Sequence, residues 1–215
     1  MTLKARLLSA LLALAILAPT PTMAGKLDFL SSVRPMQAYR FNPYIGGEEL
    51  ANMCTASSIN QEQSLWLTAA HCVAGGDDRY IGGIKVEIVE QKDSIDLAVV
   101  KVPGLKVKAI KFAKKGPAVG DLIMVAGHPL GLKPLFLTIG YVANPSAWFD
   151  DGDRFYMLYG VTGAPGNSGS PVVNKKGELV SLLQIGWISG GGFSPMMGGS
   201  TWASLNGFLK YHLPK

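Results

Sequence analysis

No long stretch of this chain repeats apolar residues at the helical period. Short apolar segments alternate instead with turn signals, which points to many short strands rather than packed helices. The candidate strands are Leu65 to Thr68, Lys85 to Val89, Leu97 to Val102, Leu122 to Ala126, Phe136 to Val142, Phe155 to Tyr159, Pro171 to Val173 and Leu179 to Ile185. Gly75-Gly76-Asp77-Asp78, Gly82-Gly83, Lys115-Gly116-Pro117, Asp150-Asp151-Gly152 and Lys176-Gly177 separate them. With 26 Gly and 13 Pro in 215 residues, the chain has the turn chemistry an all-β barrel or sandwich needs. Lys26 to Asn52 reads as a first strand plus an irregular arm, and Pro103 to Gly120 as a crossing between two halves. Only Ser204 to His212, with Leu205, Phe208, Leu209 and His212 at helical spacing, reads as a helix, with Ser204 as its cap.

Lys4 and Arg6 precede an apolar run from Leu7 to Ala18, and small side chains lead to Met23-Ala24. That pattern is an export signal over residues 1–24, cleaved near Ala24. An uncleaved anchor is the alternative, disfavoured because a span needs roughly 20 apolar residues. The formal charge is +5, and loss of the two leader cations leaves +3. Lys106, Lys108, Lys111, Lys114 and Lys115 form the only basic cluster; without interleaved aromatic residues it reads as a solvated edge, not a nucleic-acid surface. The two cysteines, Cys54 and Cys72, can pair in an exported chain. Zinc is the rival use, but the adjacent His71 with no second His nearby leaves it without a closed ligand set.

Three separated segments carry residue types suited to acyl transfer. They are Leu67-Thr68-Ala69-Ala70-His71-Cys72, Asp96-Leu97-Ala98-Val99-Val100 and Gly166-Asn167-Ser168-Gly169-Ser170-Pro171. Such chemistry needs an activated hydroxyl, a base held in one tautomer, and donors aimed at a developing oxyanion. In that order, LTAAHC, DLAVV and GNSGSP resemble the signatures of the trypsin-like (chymotrypsin-fold) serine proteases. Val125-Ala126-Gly127-His128-Pro129-Leu130-Gly131, followed by Thr138-Ile139-Gly140-Tyr141-Val142, is similar to the HtrA-type and glutamyl-endopeptidase-like bacterial branches.

The resemblance implies two six-stranded antiparallel Greek-key barrels, at about 40–110 and 118–203, with a short terminal helix at 204–212, and no appended PDZ module. It implies Ser168 as nucleophile, His71 as general base and acid, Asp96 as the orienting carboxylate, and the N–H groups of Gly166 and Ser168 as the oxyanion hole. Asp93 is the rival carboxylate, while His128 and His212 are read as structural. Gln184-Ile185-Gly186 corresponds to the strand that pairs with an extended protein or peptide substrate. Thr162 falls near the base of the specificity pocket, where the lack of an acid disfavours cleavage after Lys or Arg; Leu183 in place of a histidine disfavours strict cleavage after Glu. A small or medium apolar preference remains. Ile45-Gly46-Gly47 lies too close to Cys54 to be an activated N-terminus, and Asn167 replaces the aspartate that would bind one.

The reading is an exported serine endopeptidase, periplasmic or secreted, needing neither metal nor organic cofactor. A protease-fold binding module with little turnover is the alternative of a different class. An esterase is weaker still, since Gly-x-Ser-x-Gly is absent around Ser168.

Overall fold

The computed structural model describes residues 27–149, 154–186 and 196–214. The leader, the Asp150-Asp151-Gly152 turn and the Ser189–Gly192 stretch lie outside the described residues. A short 3-10 turn, Asp28–Ser32, leads into the first sheet. That sheet holds β1 (Val33–Asn42), β2 (Gly47–Asn60), β3 (Leu65–Thr68), β4 (Asp78–Ile81), β5 (Ile84–Lys85), β6 (Glu87–Lys92) and β7 (Leu97–Lys101), with helix α1 (Ala70–Ala74) inserted after β3. The strand order is β5-β4-β1-β2-β3-β7-β6. The second sheet holds β8 (Lys111–Phe112), β9 (Leu122–Gly127), β10 (Phe136–Phe149), β11 (Arg154–Gly160), β12 (Pro171–Asn174), β13 (Glu178–Gly186) and β14 (Met197–Ser200).

In the second sheet β12, β9, β10, β11, β14 and β13 follow one another, and β12 also pairs with β13, so these six strands close into a ring. The short β8 joins β13 in parallel from outside the ring. Each sheet therefore has seven strands where six are expected. The extra members are two-residue strands, β8 from the crossing segment and β5 from the Gly82-Gly83 hairpin, too short to leave a pattern in the sequence. The arm read as irregular is the long hairpin β1–β2, in register from Val33↔Ser57 to Asn42↔Gly47 with one bulge at Ala38/Tyr39.

Side-chain alternation at period two decides which core each strand serves. On β9, Ile123 and Val125 point into the second barrel, whereas Met124 and Ala126 join a core continuous with the first. β3 and β7 have no exposed face over Leu65–Thr68 and Leu97–Val100, which is why they read as unbroken apolar runs.

The terminal helix is α2 (Trp202–Leu209), and its cap is Thr201, whose side chain accepts from the Ser204 N–H; Ser204 itself lies inside the first turn. Leu205, Phe208 and Leu209 are buried as their spacing required. Cys54 and Cys72 form a disulfide with Cα atoms 6.1 Å apart, tying β2 to α1 across 18 residues of sequence. In the loop-entropy picture such a link stabilises by about 3 kcal/mol. Among the described residues, no helix is long and apolar enough to cross a membrane.

Candidate active site

His71 is the second residue of α1, placed there by the turn that ends β3. Its backbone N–H donates to Asp96 Oδ1 at 2.8 Å, and its ring Nδ1 lies 2.8 Å from Asp96 Oδ2. Because a carboxylate only accepts, the ring proton sits on Nδ1 and Nε2 keeps its lone pair. Asp96 occupies the left-handed region (φ 52) after the 3-10 turn Asp93–Ile95, a conformation Asp tolerates better than most residues. Its carboxylate is largely buried, while the His71 side chain is 45% exposed. Gln184 on β13 donates from Nε2 to the carbonyls of Ile95 and Asp96, at 2.8 and 2.7 Å, holding this turn against the second barrel. Asn52 fixes the other side by donating to the His71 carbonyl.

Ser168 follows Gly166-Asn167 in a turn whose carbonyls are secured from behind. Buried Thr55 on β2 makes most of those bonds. Its N–H donates to the Ser168 carbonyl at 2.8 Å, its Oγ1 donates to the Gly166 carbonyl at 2.9 Å, and the same Oγ1 accepts from the His128 N–H at 3.0 Å. The Ser168 carbonyl also lies 3.8 Å from Cys72 Sγ, so Ser168 and the residue after His71 are neighbours. The Pro165 carbonyl accepts from the Leu130 N–H at 2.5 Å. In a trans peptide the N–H opposes the carbonyl, so the Gly166 N–H points away from Leu130. Gly166 has φ +96, and a Cβ there would lie 2.5 Å from the His128 carbonyl and 2.7 Å from Leu130 N, so no other residue fits. Among the described residues, neither the Gly166 nor the Ser168 N–H has a hydrogen-bond partner. Two such amides beside a hydroxyl are what stabilisation of an oxyanion requires.

Beside Ser168 lies a cleft of about 130 Å³, lined by Gly163, Ala164, Leu183, Gln184, Ile185 and Met197 among others. Met197 closes it from β14: a Cβ on Gly163 would lie 2.4 Å from the Met197 Cε. Gln184, Ile185 and Gly186 line this cleft, whereas Thr162 lines a separate cavity that shares Gly163 and Ala164 with it.

Residues 54–182 match the trypsin-like peptidase domain family. The chain belongs to that family. The trypsin-like domain is also 25% identical over 154 residues to a probable periplasmic serine endoprotease, DegP-like, of Hahella chejuensis; that match covers 68% of this chain and 33% of the relative, so the chain spans about a third of its length. Among solved structures it is similar to the HtrA-type protease AlgW with a tripeptide, with a TM-score of 0.74 at 19% identity over 89% of this chain and 64% of that one. It is likewise similar to the active form of the Rv3671c protease from M. tuberculosis, with a TM-score of 0.71 at 21% identity over 92% of this chain and 89% of that one.

Within the trypsin-like domain, Asp93 is not the carboxylate that meets His71; it is exposed and accepts from Gln91 Nε2 at 2.7 Å. His212 pairs with Glu90 of β6 at 2.7 Å. Thr55, the Gln184 side chain, the Leu130–Pro165 bond and Met197 all escaped the sequence reading. The hydroxyl-rich run Thr55, Ser57 and Ser58 within one strand was a signal for buried polar bonding, though not for which residue reaches the site. For Met197 no sequence signal existed.

Replacing Thr55 by Val removes Oγ1 at nearly constant volume and strands a buried carbonyl and a buried N–H. Urea denaturation is expected to show a loss of about 2–4 kcal/mol, with Thr55→Ser retaining most of it. His128 is buried, and its desolvation holds the imidazole below its ordinary value of 6.5. Nδ1 donates to the Leu132 carbonyl at 3.0 Å in the neutral ring. The unfolded imidazole thus takes up its proton at higher pH than the folded one, so stability is full above 6.5, falls as the pH drops below it, and levels off only below the depressed folded value. Thermal midpoints recorded from about pH 7.5 down to about pH 5 are expected to fall, and less steeply in His128→Gln.

Proposed function

We propose that this trypsin-like domain is an exported serine endopeptidase that cleaves extended protein or peptide substrates after small or medium apolar residues, with His71, Asp96 and Ser168 as its triad. One observation carries the reading: both oxygens of the buried Asp96 are committed to His71, one to its backbone and one to Nδ1, leaving Nε2 as the free base. Removal of residues 1–24 by signal cleavage would deliver residues 25–215 to the periplasm or the medium.

In the reaction, Ser168 Oγ adds to the scissile carbonyl as its proton passes to His71 Nε2. The carbonyl oxygen becomes an oxyanion held by the Gly166 and Ser168 N–H groups. Collapse breaks the C–N bond, His71 protonates the departing amine, and Ser168 keeps the acyl group. Water then repeats the sequence with His71 as base, releasing the acid and restoring the serine. Asp96 stabilises the imidazolium in each half. The substrate backbone would lie along Gln184-Ile185-Gly186 as an added strand. A cleft of about 130 Å³ is smaller than the ~150 Å³ cavity that holds benzene, which favours aliphatic over aromatic side chains.

A fluorophosphonate probe is expected to label the wild-type domain and to leave Ser168→Ala unlabelled; folded wild type that takes no label would instead fit a binding module. Peptide-library profiling of Met197→Ala is expected to raise kcat/KM for Phe relative to Val at the cleavage position by about tenfold or more. An unchanged profile would remove Met197 from specificity.

A further inference from the structure

The β1–β2 hairpin outruns the sheet it belongs to. β1 pairs with β4 only as far as Tyr39↔Asp78, and β2 meets β3 only from Ser57 onward, so among the described residues the part between Tyr39 and Leu50 is a ribbon without a third strand. Such a ribbon is marginal by itself, and polar bonds hold it in one shape. Glu49 accepts from Arg40 Nε at 2.6 Å and from Asn42 Nδ2 at 2.7 Å, while Asn42 Oδ1 accepts from the Tyr44 N–H at 2.9 Å. Arg40, Asn42 and Glu49 thereby share one face of the ribbon; the register puts Tyr39, Phe41 and Leu50 on the other. Phe41 to Gly47 carry no charge. Within that tip Phe41 is 61% exposed, Tyr44 96% and Ile45 65%, and Leu50 beside them is exposed as well. A braced turn that holds apolar side chains out in water does nothing for the core, and exposed apolar patches of this kind mark contact surfaces.

We infer that this hairpin tip is a docking wedge for the surface of a lipid bilayer, entering the zone between head groups and acyl chains, and that it brings the catalytic cleft to extended peptide segments near that surface. Docking is independent of the hydrolase reading above; the substrate class rests on it. Three observations favour lipid as the occupant. The first is area: at ~200 Å² for a large side chain, the four exposed residues offer roughly 500 Å², short of the ~800 Å² each partner gives to a standard protein interface. A bilayer needs no matching surface. The second is depth: Phe41 to Tyr44 spans at most about 10 Å at ~3.3 Å per residue, the depth to which interfacial elements enter, with Arg40 and Glu49 left at head-group level. Glu48, opposite Phe41, lies against Asp78 at the ribbon's base, and Asp78 is ion-paired with Lys85. The third is chemistry: Tyr44, at the end of the tip, is the amphipathic aromatic type that settles at membrane interfaces. The link to the cleft follows from connectivity. Asn52, two residues past Leu50, donates to the His71 carbonyl, and the Asp77 N–H, just beyond α1, donates to the Tyr39 carbonyl. The base of the ribbon is thus anchored to the helix that carries His71.

The test uses residues 25–215 carrying Ser168→Ala, with phosphatidylcholine vesicles made with or without phosphatidylglycerol. Co-sedimentation is expected to show partition onto both, unchanged by high salt, because apolar burial is not screened as charge attraction is. Tyr44→Ser combined with Ile45→Ser is expected to weaken partition about tenfold or more, with the thermal midpoint unchanged. A polarity-sensitive dye on Ile45→Cys is expected to shift to the blue on vesicles, and the same dye on Lys114→Cys to remain unshifted. Lys114 belongs to the basic cluster, which lies toward the other end of β1, where Ser32 Oγ donates to the Lys108 carbonyl. Absence of partition by the folded protein would overturn the docking. So would partition that needs phosphatidylglycerol, is lost in salt and shifts the Lys114 dye alone, or self-association through the tip without vesicle binding. For the substrate class, the protein with Ser168 intact is expected to cleave a vesicle-tethered peptide about tenfold faster than the Tyr44→Ser, Ile45→Ser variant does, and the untethered peptide at the same rate. Equal rates on the tethered peptide, or an equal loss on both peptides, would overturn that part. Wild type that cleaves neither would end the hydrolase reading and the substrate class together, while vesicle partition would still decide the docking.

Discussion

A single hydroxyl buried between two barrels holds the site together. Thr55 belongs to the first sheet, yet its Oγ1 and N–H bond to three backbone groups on two segments of the second half: the carbonyls on either side of Asn167, and the N–H of His128. Its own carbonyl accepts from Thr68 Oγ1, one turn before His71. In a dry interface such bonds are strong, and leaving one unmade is costly. The turn bearing Ser168 therefore cannot shift relative to the strand that leads to His71 without stranding several buried groups at once.

The same logic places the carboxylate. Asp96 is carried by a short turn of the first barrel, and Gln184 from the second grips that turn by two carbonyls. Each barrel thus positions a piece of chemistry by reaching across to the other. The disulfide adds a covalent limit to movement of α1 against β2.

The sequence made legible what is local. The segments around His71, Asp96 and Ser168 carry their chemistry within a few residues, and strands such as Leu65–Thr68 and Pro171–Asn174 are bounded by clear turns. The long β1–β2 hairpin was hidden because its outer half is largely exposed and carries mixed side chains such as Glu48, Glu49 and Leu50. Which cavity Thr162 lines was not legible, because a step of one residue along an extended chain reverses the face it presents and motif spacing does not fix that parity. Met197 reaches the cleft through pairing with β11 and β13, a contact no local pattern encodes.

The C-terminal helix has a consequence of its own. α2 buries Leu205, Phe208 and Leu209 in a core shared with the first barrel, and just beyond it His212 meets Glu90 while its carbonyl accepts from Asn60. Residues 202–212 thus strap the second sheet to the first. Without them the chain would still contain His71, Asp96 and Ser168 but would lose the clamp that holds the two sheets in register.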